Sequence, residues 1–392
     1  MSLDVGELKA EVVGEVESRR QSLDGLSRKI HANPETGLKE SKAMAWLADY
    51  LRENGFTVEA GIYGLSTAFR ASYGQGGPVI AILAEYDALP KIGHACGHNL
   101  IATSAVGAGV AAKLAVDRCG GSVLVMGTPG EEMQGGKVLM ARHGAFDGVD
   151  VAMMVHPGVR DTATVNALAL HFFEAEFFGK PAHAGSRPEE GINALEAMLQ
   201  SFNAINSLRQ HIRDKARIHG IITDGGEAAN IVPAHSAGIF IVRAEDDSYL
   251  DELKERVISC FKGAATASGA RLEYKWWKVR YSAMRNDLAL ARLFRRNMQS
   301  LGRKVALSDP TNRFGSSDMG NVSQLVPSIH PIVAIAPINI LGHSPEFAQA
   351  AVSEAGSRGL LDAAKAMAMT VVDLLIRPEI VSRVKEEFKR GK

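Results

Sequence analysis

Hydrophobic and polar positions change their period along the chain, and each change marks an element. From Leu3 to Ile30 apolar residues recur at helical spacing among charges, which predicts an amphipathic surface helix stopped by His31-Ala-Asn-Pro-Glu35. Lys39 to Asn54 predicts a second helix ended by Gly55, and Thr57 to Ala60 and Ser66 to Ser72 predict short strands before a Gly-Gln-Gly-Gly turn at 74–77. Val79 to Leu83 is uncharged and β-branched, a buried strand. Leu100 to Val116 is a buried Ala- and Gly-rich helix, and Ser122 to Met126 and Val151 to Val155 are further strands. Near residue 168 the texture switches to period two over Leu170 to Phe178. A long helix (Gly191 to His211), strands Ile218 to Thr223 and Ala237 to Val242, a helix (Asp247 to Gly269) and a strand (Arg271 to Lys278) follow. That β-α-β-β-α-β order predicts a ferredoxin-like unit. Leu288 to Gly302, the segment Ser316 to Pro331, strand Ile332 to Ile335 and a helix from Gly359 to Leu375 return to the first texture. The expected fold class is α/β: a discontinuous domain over 1–167 and 281–392, with an inserted ferredoxin-like α+β domain over 168–280.

Composition narrows the partners. A chain of 392 residues suits two domains, and Lys plus Arg equals Asp plus Glu at 44 each. No basic excess points to nucleic acid or an anionic membrane, so a small-molecule substrate is expected. Cys96, Cys119 and Cys260 lack disulfide-framework spacing, which fits a reducing compartment, and Cys119 and Cys260 read as small buried residues. The first residues carry charges where a secretory signal needs an apolar core, and no uncharged apolar run reaches the ~20 residues of a membrane span. The expectation is a cytoplasmic protein.

Chemistry-bearing residues gather where strands end. Asp87, Cys96 and His98 follow the strand Val79 to Leu83; Glu131 and Glu132 follow Ser122 to Met126; His156 follows Val151 to Val155, and His343 lies in a later loop. Open α/β sheets place their sites at such an edge. Gly97, between Cys96 and His98, lacks a Cβ and lets the backbone fold so that both side chains face one ion. A thiolate, three imidazoles and carboxylates suit Zn, Mn, Co or Ni and are too many for one tetrahedral ion, which points to two metals. In the Gly-flanked Glu131-Glu132 pair one carboxylate can hold an ion while the other takes a proton from water. Each feature has a plain alternative: Cys-x-His as a buried thiol beside a core histidine, Glu-Glu as a solvated turn. His94 sits in the same stretch and is one ligand too many. Gly107-Ala-Gly-Val-Ala-Ala112 matches a dinucleotide fingerprint in letters, but inside a helix instead of between strand and helix, so a nicotinamide oxidoreductase has little support.

Asp87-Ala-Leu-Pro90, His94-Ala-Cys-Gly-His98, Gly127-Thr-Pro-Gly-Glu-Glu132, Val155-His-Pro157, Gly179-Lys-Pro-Ala-His183 and Gly342-His343 together resemble, in order and over nearly the whole chain, the M20 metallopeptidase and amidohydrolase family in its aminoacylase-like branch. The resemblance implies two divalent transition-metal ions, Zn or Mn ahead of Co or Ni, with Cys96, His98, Glu132, His156 and His343 as ligands. It implies Glu131 as general base, Asp87 as a carboxylate steadying a catalytic histidine, and an inserted domain that acts as lid and dimerises the chain. His183 on that lid would stabilise an oxyanion in the partner subunit's site, with Asn230 in a similar role. Glu85-Tyr-Asp87 and Asn99 stand where many members have Asp-x-Asp and Asp. With Ser316-Ser-Asp-Met-Gly-Asn-Val-Ser323 and His343-Ser-Pro-Glu-Phe347, this is closer to the subgroup acting on dipeptides or aminobenzoyl-glutamate. The implied activity is hydrolysis of an amide in a small N-acyl amino acid, an aminobenzoyl-glutamate-like conjugate or a dipeptide. A deaminase of aromatic amines on the same scaffold and an inactive binding protein are the rival readings. Arg243 and the loop Gly315 to Gly320 are the candidates for holding a substrate carboxylate, with a surface pair between Arg243 and Glu245 or Asp246 as the alternative.

Overall fold

The N-terminal stretch predicted as one helix is two in the computed structural model, which describes residues 4–309, 311 and 315–390. Asp4 caps α1 (Val5–Ser18), its carboxylate accepting from Gly6 N at 2.8 Å, and the helix buries Leu8, Val12 and Val16. Arg19 then leaves helical geometry (φ −96°, ψ 4°), and α2 (Arg20–His31) restarts to bury Leu23, Leu26 and Ile30. The apolar stripe stays in phase through Arg19, so periodicity alone cannot see the break. Leu3, the predicted first residue, lies outside the described residues.

The chain continues through α3 (Ser41–Glu53), β1 (Thr57–Ala60), β2 (Phe69–Gln75), β3 (Val79–Ala84), α4 (His98–Cys119), β4 (Gly121–Gly127), α5 (Gly136–Arg142), β5 (Val151–Met153) and β6 (His156–Gly158). A second unit holds β7 (Ala169–Phe178), α6 (Ala194–Leu208), β8 (Arg217–Asp224), β9 (His235–Ala244), α7 (Asp247–Ser268) and β10 (Arg271–Tyr281). The first texture returns with α8 (Leu288–Ser300), α9 (Met319–Leu325), β11 (Ser328–Ile329), β12 (Ile332–Ala334), α10 (Pro345–Ala350), α11 (Glu354–Ile376) and α12 (Pro378–Arg390). Backbone contacts divide the chain into Met1–Asn166 with Met284–Lys392, and Ala167–Ala283.

In the larger unit, the described residues form a six-stranded sheet in the order β1-β2-β4-β3-β5-β11. Strands β4, β3, β5 and β11 run parallel, so their carboxyl ends share one edge, while β1 and β2 close the other side antiparallel. His156 does not end the strand before it; it opens β6, which pairs in parallel with β12 as a separate two-stranded ribbon. Helix α4 is long and apolar enough to cross a membrane by length and composition, yet 89% of its apolar window is buried inside this unit. Gly107 and Gly109 explain how it packs so closely. A Cβ on Gly109 would lie 2.3 Å from Val125 Cγ2 in β4, whereas one on Gly107 would meet only the flexible end of Leu23, at 2.9 Å. These glycines serve packing, which removes the last support for a dinucleotide loop. Gly109→Ala is expected to destabilise by ~1–2 kcal/mol, since Val125 is stiff and buried and overpacking outweighs the gain in helix propensity. Gly107→Ala should cost less, as urea unfolding of the two variants would show.

The inserted unit is an antiparallel sheet in the order β10-β7-β9-β8, the strand order of a ferredoxin-like fold. Its core is aromatic: Phe173, Phe177, Phe240 and Phe261 are fully buried, with Phe173 edge-on to Phe261 at 5.3 Å. Alternation sets the register, since the even-numbered residues of β9 face this core and the odd-numbered ones do not. Asp246 caps α7 by accepting from Tyr249 N at 2.7 Å, and Gly269 ends it in the left-handed conformation, φ 76°.

Candidate metal centre

The turn that follows β3 has a shape only glycine permits at its apex. Gly97 has φ 80°, and a Cβ there would lie 2.6 Å from Pro157 Cγ, so Cys96 and His98 are thrown to the same side. The Glu131–Glu132 loop is held as tightly. Glu40, fully buried, accepts from Gly130 N at 2.8 Å, and Gly136 comes so close to Pro129 that a Cβ would fall 1.6 Å from its carbonyl oxygen. The loop that bears His343 is pinned to the first turn by the bond from His343 N to Ala95 O, at 2.9 Å.

These loops bring together the side chains that the sequence singled out in this unit. Donor atoms of Cys96, His98 and His156 lie within 4.8 Å of one another, as do those of Cys96, Glu132 and His343, and those of His98, Glu131 and Glu132. Cys96 Sγ is 3.4 Å from His156 Nε2, and His343 Nε2 is 3.3 Å from Glu132 Oε1. The outer atoms are committed elsewhere. His156 Nδ1 donates to Pro157 O at 2.7 Å and His98 Nδ1 to Asp87 Oδ1 at 3.1 Å, which turns both Nε2 atoms toward the cluster. Asp87 also accepts from Glu132 N at 2.9 Å, so one carboxylate ties the turn after β3 to the loop after β4.

Electrostatics follow from this crowding. Burial pushes Cys96 up, but His156 and His98 more than reverse this and hold the thiol well below its usual range, as a thiolate. Burial likewise opposes ionisation of Glu132 and is outweighed by the His343 hydrogen bond and the His98 charge, leaving it below the usual carboxylate range. Glu131 goes the other way: burial first, then the charges of Glu85 and Asp318, push it well above. Neighbouring carboxylates thus have opposite tendencies, one to stay ionised and one to hold a proton. His98 Nε2 is buried without a hydrogen-bond partner. Such a group is costly unless paired, and a cation beside it and Glu132 would satisfy it. A thiolate, imidazoles and a carboxylate are a donor set for a borderline transition metal such as zinc. The residues present therefore fit a metal.

The inserted unit places the other candidates. His183 and Ile231 form a bridge and Ala184 N donates to Asn230 O at 3.0 Å, so His183 and Asn230 lie on paired, exposed loops. Arg243 lies within β9, with its Nε donating to His219 Nε2 at 3.4 Å, while Glu245 and Asp246 are ion-paired to Arg213. In the loop Gly315 to Gly320 the second half is committed to the protein itself. Asp318 is fully buried and bonded to Lys137, Ser317 Oγ accepts from Met319 N, and Met319 already begins α9. Sequence reading also missed residues against the centre. Lys137, Asp318 and Glu85 form a buried charged group, and a single lysine inside the otherwise apolar run Gly136-Lys-Val-Leu-Met140 was its signal. His330 packs its ring 5.7 Å from that of His156, and burial keeps it neutral, as burial does His94, lowered to about 3. Neither is part of the donor clusters among the described residues.

A family model for the peptidase dimerisation domain matches residues 162–267, much of the inserted unit. The chain is 34% identical over 398 residues to the Xaa-Arg dipeptidase of Mus musculus, covering 97% of this chain and 92% of that protein. It is 28% identical to one of the p-aminobenzoyl-glutamate hydrolase chains of Escherichia coli, covering 96% and 93%. Among solved structures it resembles a dinuclear metal binding peptidase of Bacillus subtilis, at a TM-score of 0.73 and 20% identity over 92% of this chain and 99% of the other. With full-length relatives of this kind, the chain belongs to the M20 family of metallopeptidases and amidohydrolases, on its dipeptidase and aminobenzoyl-glutamate hydrolase side.

Proposed function

We propose that the protein is a dipeptidase that uses two divalent transition-metal ions, zinc or manganese, to hydrolyse the amide bond next to a free carboxylate. The observation that supports this most is the convergence of Cys96, His98, Glu132, His156 and His343 beside Glu131, with His98 Nε2 buried and without a hydrogen-bond partner. Cys96 belongs to two of the donor groups, as do His98, Glu131 and Glu132, so the groups form one continuous cluster. When bound, such ions polarise a carbonyl and make water more acidic. Glu131, in its ionised form, takes a proton from the attacking water and hands it to the leaving amine, and burial strengthens its hold on that proton in between. Asp87 keeps the His98 ring turned with Nε2 inward. The relatives of similar length are named for Xaa-Arg dipeptides and for aminobenzoyl-glutamate, so a dipeptide with a basic C-terminal residue is the substrate we place first.

Incubating metal-loaded protein with a panel of dipeptides and N-acyl amino acids, and reading free amino acids by mass spectrometry, tests this. Release of the C-terminal amino acid is the expected result. Release of ammonia instead, or no cleavage by protein shown to hold metal, would overturn it.

His183 and Asn230, on the inserted unit, are proposed to stabilise the oxyanion of a partner subunit's site in a homodimer. Mixing inactive His183→Ala chains with inactive Glu131→Gln chains should then restore partial activity through heterodimers. Subunit exchange without recovered activity would rule out action across subunits.

A further inference from the structure

Glu85, directly after β3, Lys137, in the first turn of α5, and Asp318, just before α9, are each 0% exposed, and the reaction proposed above uses none of them. The Lys137 ammonium donates to Glu85 Oε1 and, at 2.8 Å, to Asp318 Oδ1; the Lys137 backbone N–H donates to Asp318 Oδ2 at 2.9 Å. Glu131 belongs to the same group, because one oxygen each from Glu85, Glu131 and Asp318 lie within 4.8 Å of one another. Glu85 Oε2, fully buried, has no hydrogen-bond partner and lies 3.6 Å from His98 Nε2.

Three carboxylates converging at that spacing, away from water, make an all-oxygen donor set of the kind that hard divalent cations take. Gathered as three anions without positive charge they would repel one another strongly, which a proton or a cation among them relieves. Here that cation is covalently part of the chain. An ammonium supplies charge and three directed N–H donors but does not exchange and cannot act as a Lewis acid. A divalent ion in its place would draw Glu131 into coordination and stand close to any ion held by His98 and Glu132.

We propose that Lys137 is a built-in cation that fills a third, oxygen-only metal position, keeping divalent ions out of it and Glu131 from being coordinated there. The consequence for Glu131 rests on its proposed role as base; the occupancy of the position does not.

Elemental analysis of the full-length protein, saturated with Mn²⁺ or Mg²⁺ and freed of excess ion, tests this without reading turnover. Lys137→Ala should hold one divalent ion more per chain than the unaltered protein, whatever that protein's own count, and its thermal midpoint should rise with added ion where that of the loaded unaltered protein does not. Lys137→Arg keeps the charge and should gain no ion. Lys137→Ala combined with Asp318→Asn loses a ligand and should gain none either. A folded Lys137→Ala chain with the unaltered count overturns the proposal, and so does one that stays unfolded in millimolar ion. A protein that cleaves no dipeptide still returns this answer, so failure here and failure of the dipeptidase reading are separate events.

Discussion

Glu131→Gln should keep its fold and its metal and lose at least ~10²-fold in turnover, the lower end of what a general acid–base group contributes. Glutamine preserves shape but cannot accept and return a proton. The neighbouring substitution should fail differently. Glu132 lies 3.3 Å from His343 Nε2 and joins Cys96 and His343 in one donor group, and its surroundings hold it ionised. Glu132→Gln should therefore lose metal, and activity only as a consequence. Glu131 joins Glu85 and Asp318 as well as His98 and Glu132, and its surroundings favour the protonated form. Elemental analysis beside kcat separates the two variants. Equal metal loss in both would show that the roles of the pair are wrongly divided.

The parts of this site that could be read in the sequence are those whose position depends on local rules. Cys96 and His98 follow a β-branched strand and flank a glycine, and Gly97 indeed takes φ 80° against Pro157. The Glu131–Glu132 loop announces itself through Gly130, Gly135 and Gly136, all buried or nearly so. The inserted unit was legible because its strands alternate with period two while the surrounding ones are buried runs. Long-range pairing was not legible. Lys137 meets Asp318 across 181 residues of sequence, and no local pattern says that this lysine lies inside while Lys113 reaches outward to Asn54 O. For the same reason nothing in the sequence marks Asp318 as a buried counter-charge. The short helices α5, α9 and α10, at six or seven residues each, escape sequence reading because tertiary contacts, not propensity, stabilise elements of that length.

Converting the substrate's C-terminal carboxylate to a carboxamide should lower kcat/KM by on the order of 10²-fold or more, ~2.7 kcal/mol. A guanidinium grips a carboxylate through two parallel N–H bonds, which fixes the neighbouring amide in place, and it has no comparable hold on a neutral amide. Of the two candidates drawn from the sequence, the loop Gly315 to Gly320 has Asp318 and Ser317 engaged in bonds of their own, so Arg243 is the one the expectation is argued for. The competing surface pair would have to share its carboxylates, because Arg213 already ion-pairs both Glu245 and Asp246. Arg243 lies on β9, and its Nε donates to His219 Nε2 at 3.4 Å. Arg243→Met should then cost the acid substrate about what amidation costs it, and should cost the carboxamide little more, because both changes remove the same interaction. If the carboxamide is hydrolysed as fast as the acid, Arg243 is not the carboxylate's partner, and the preference for substrates ending in a free amino acid falls with it.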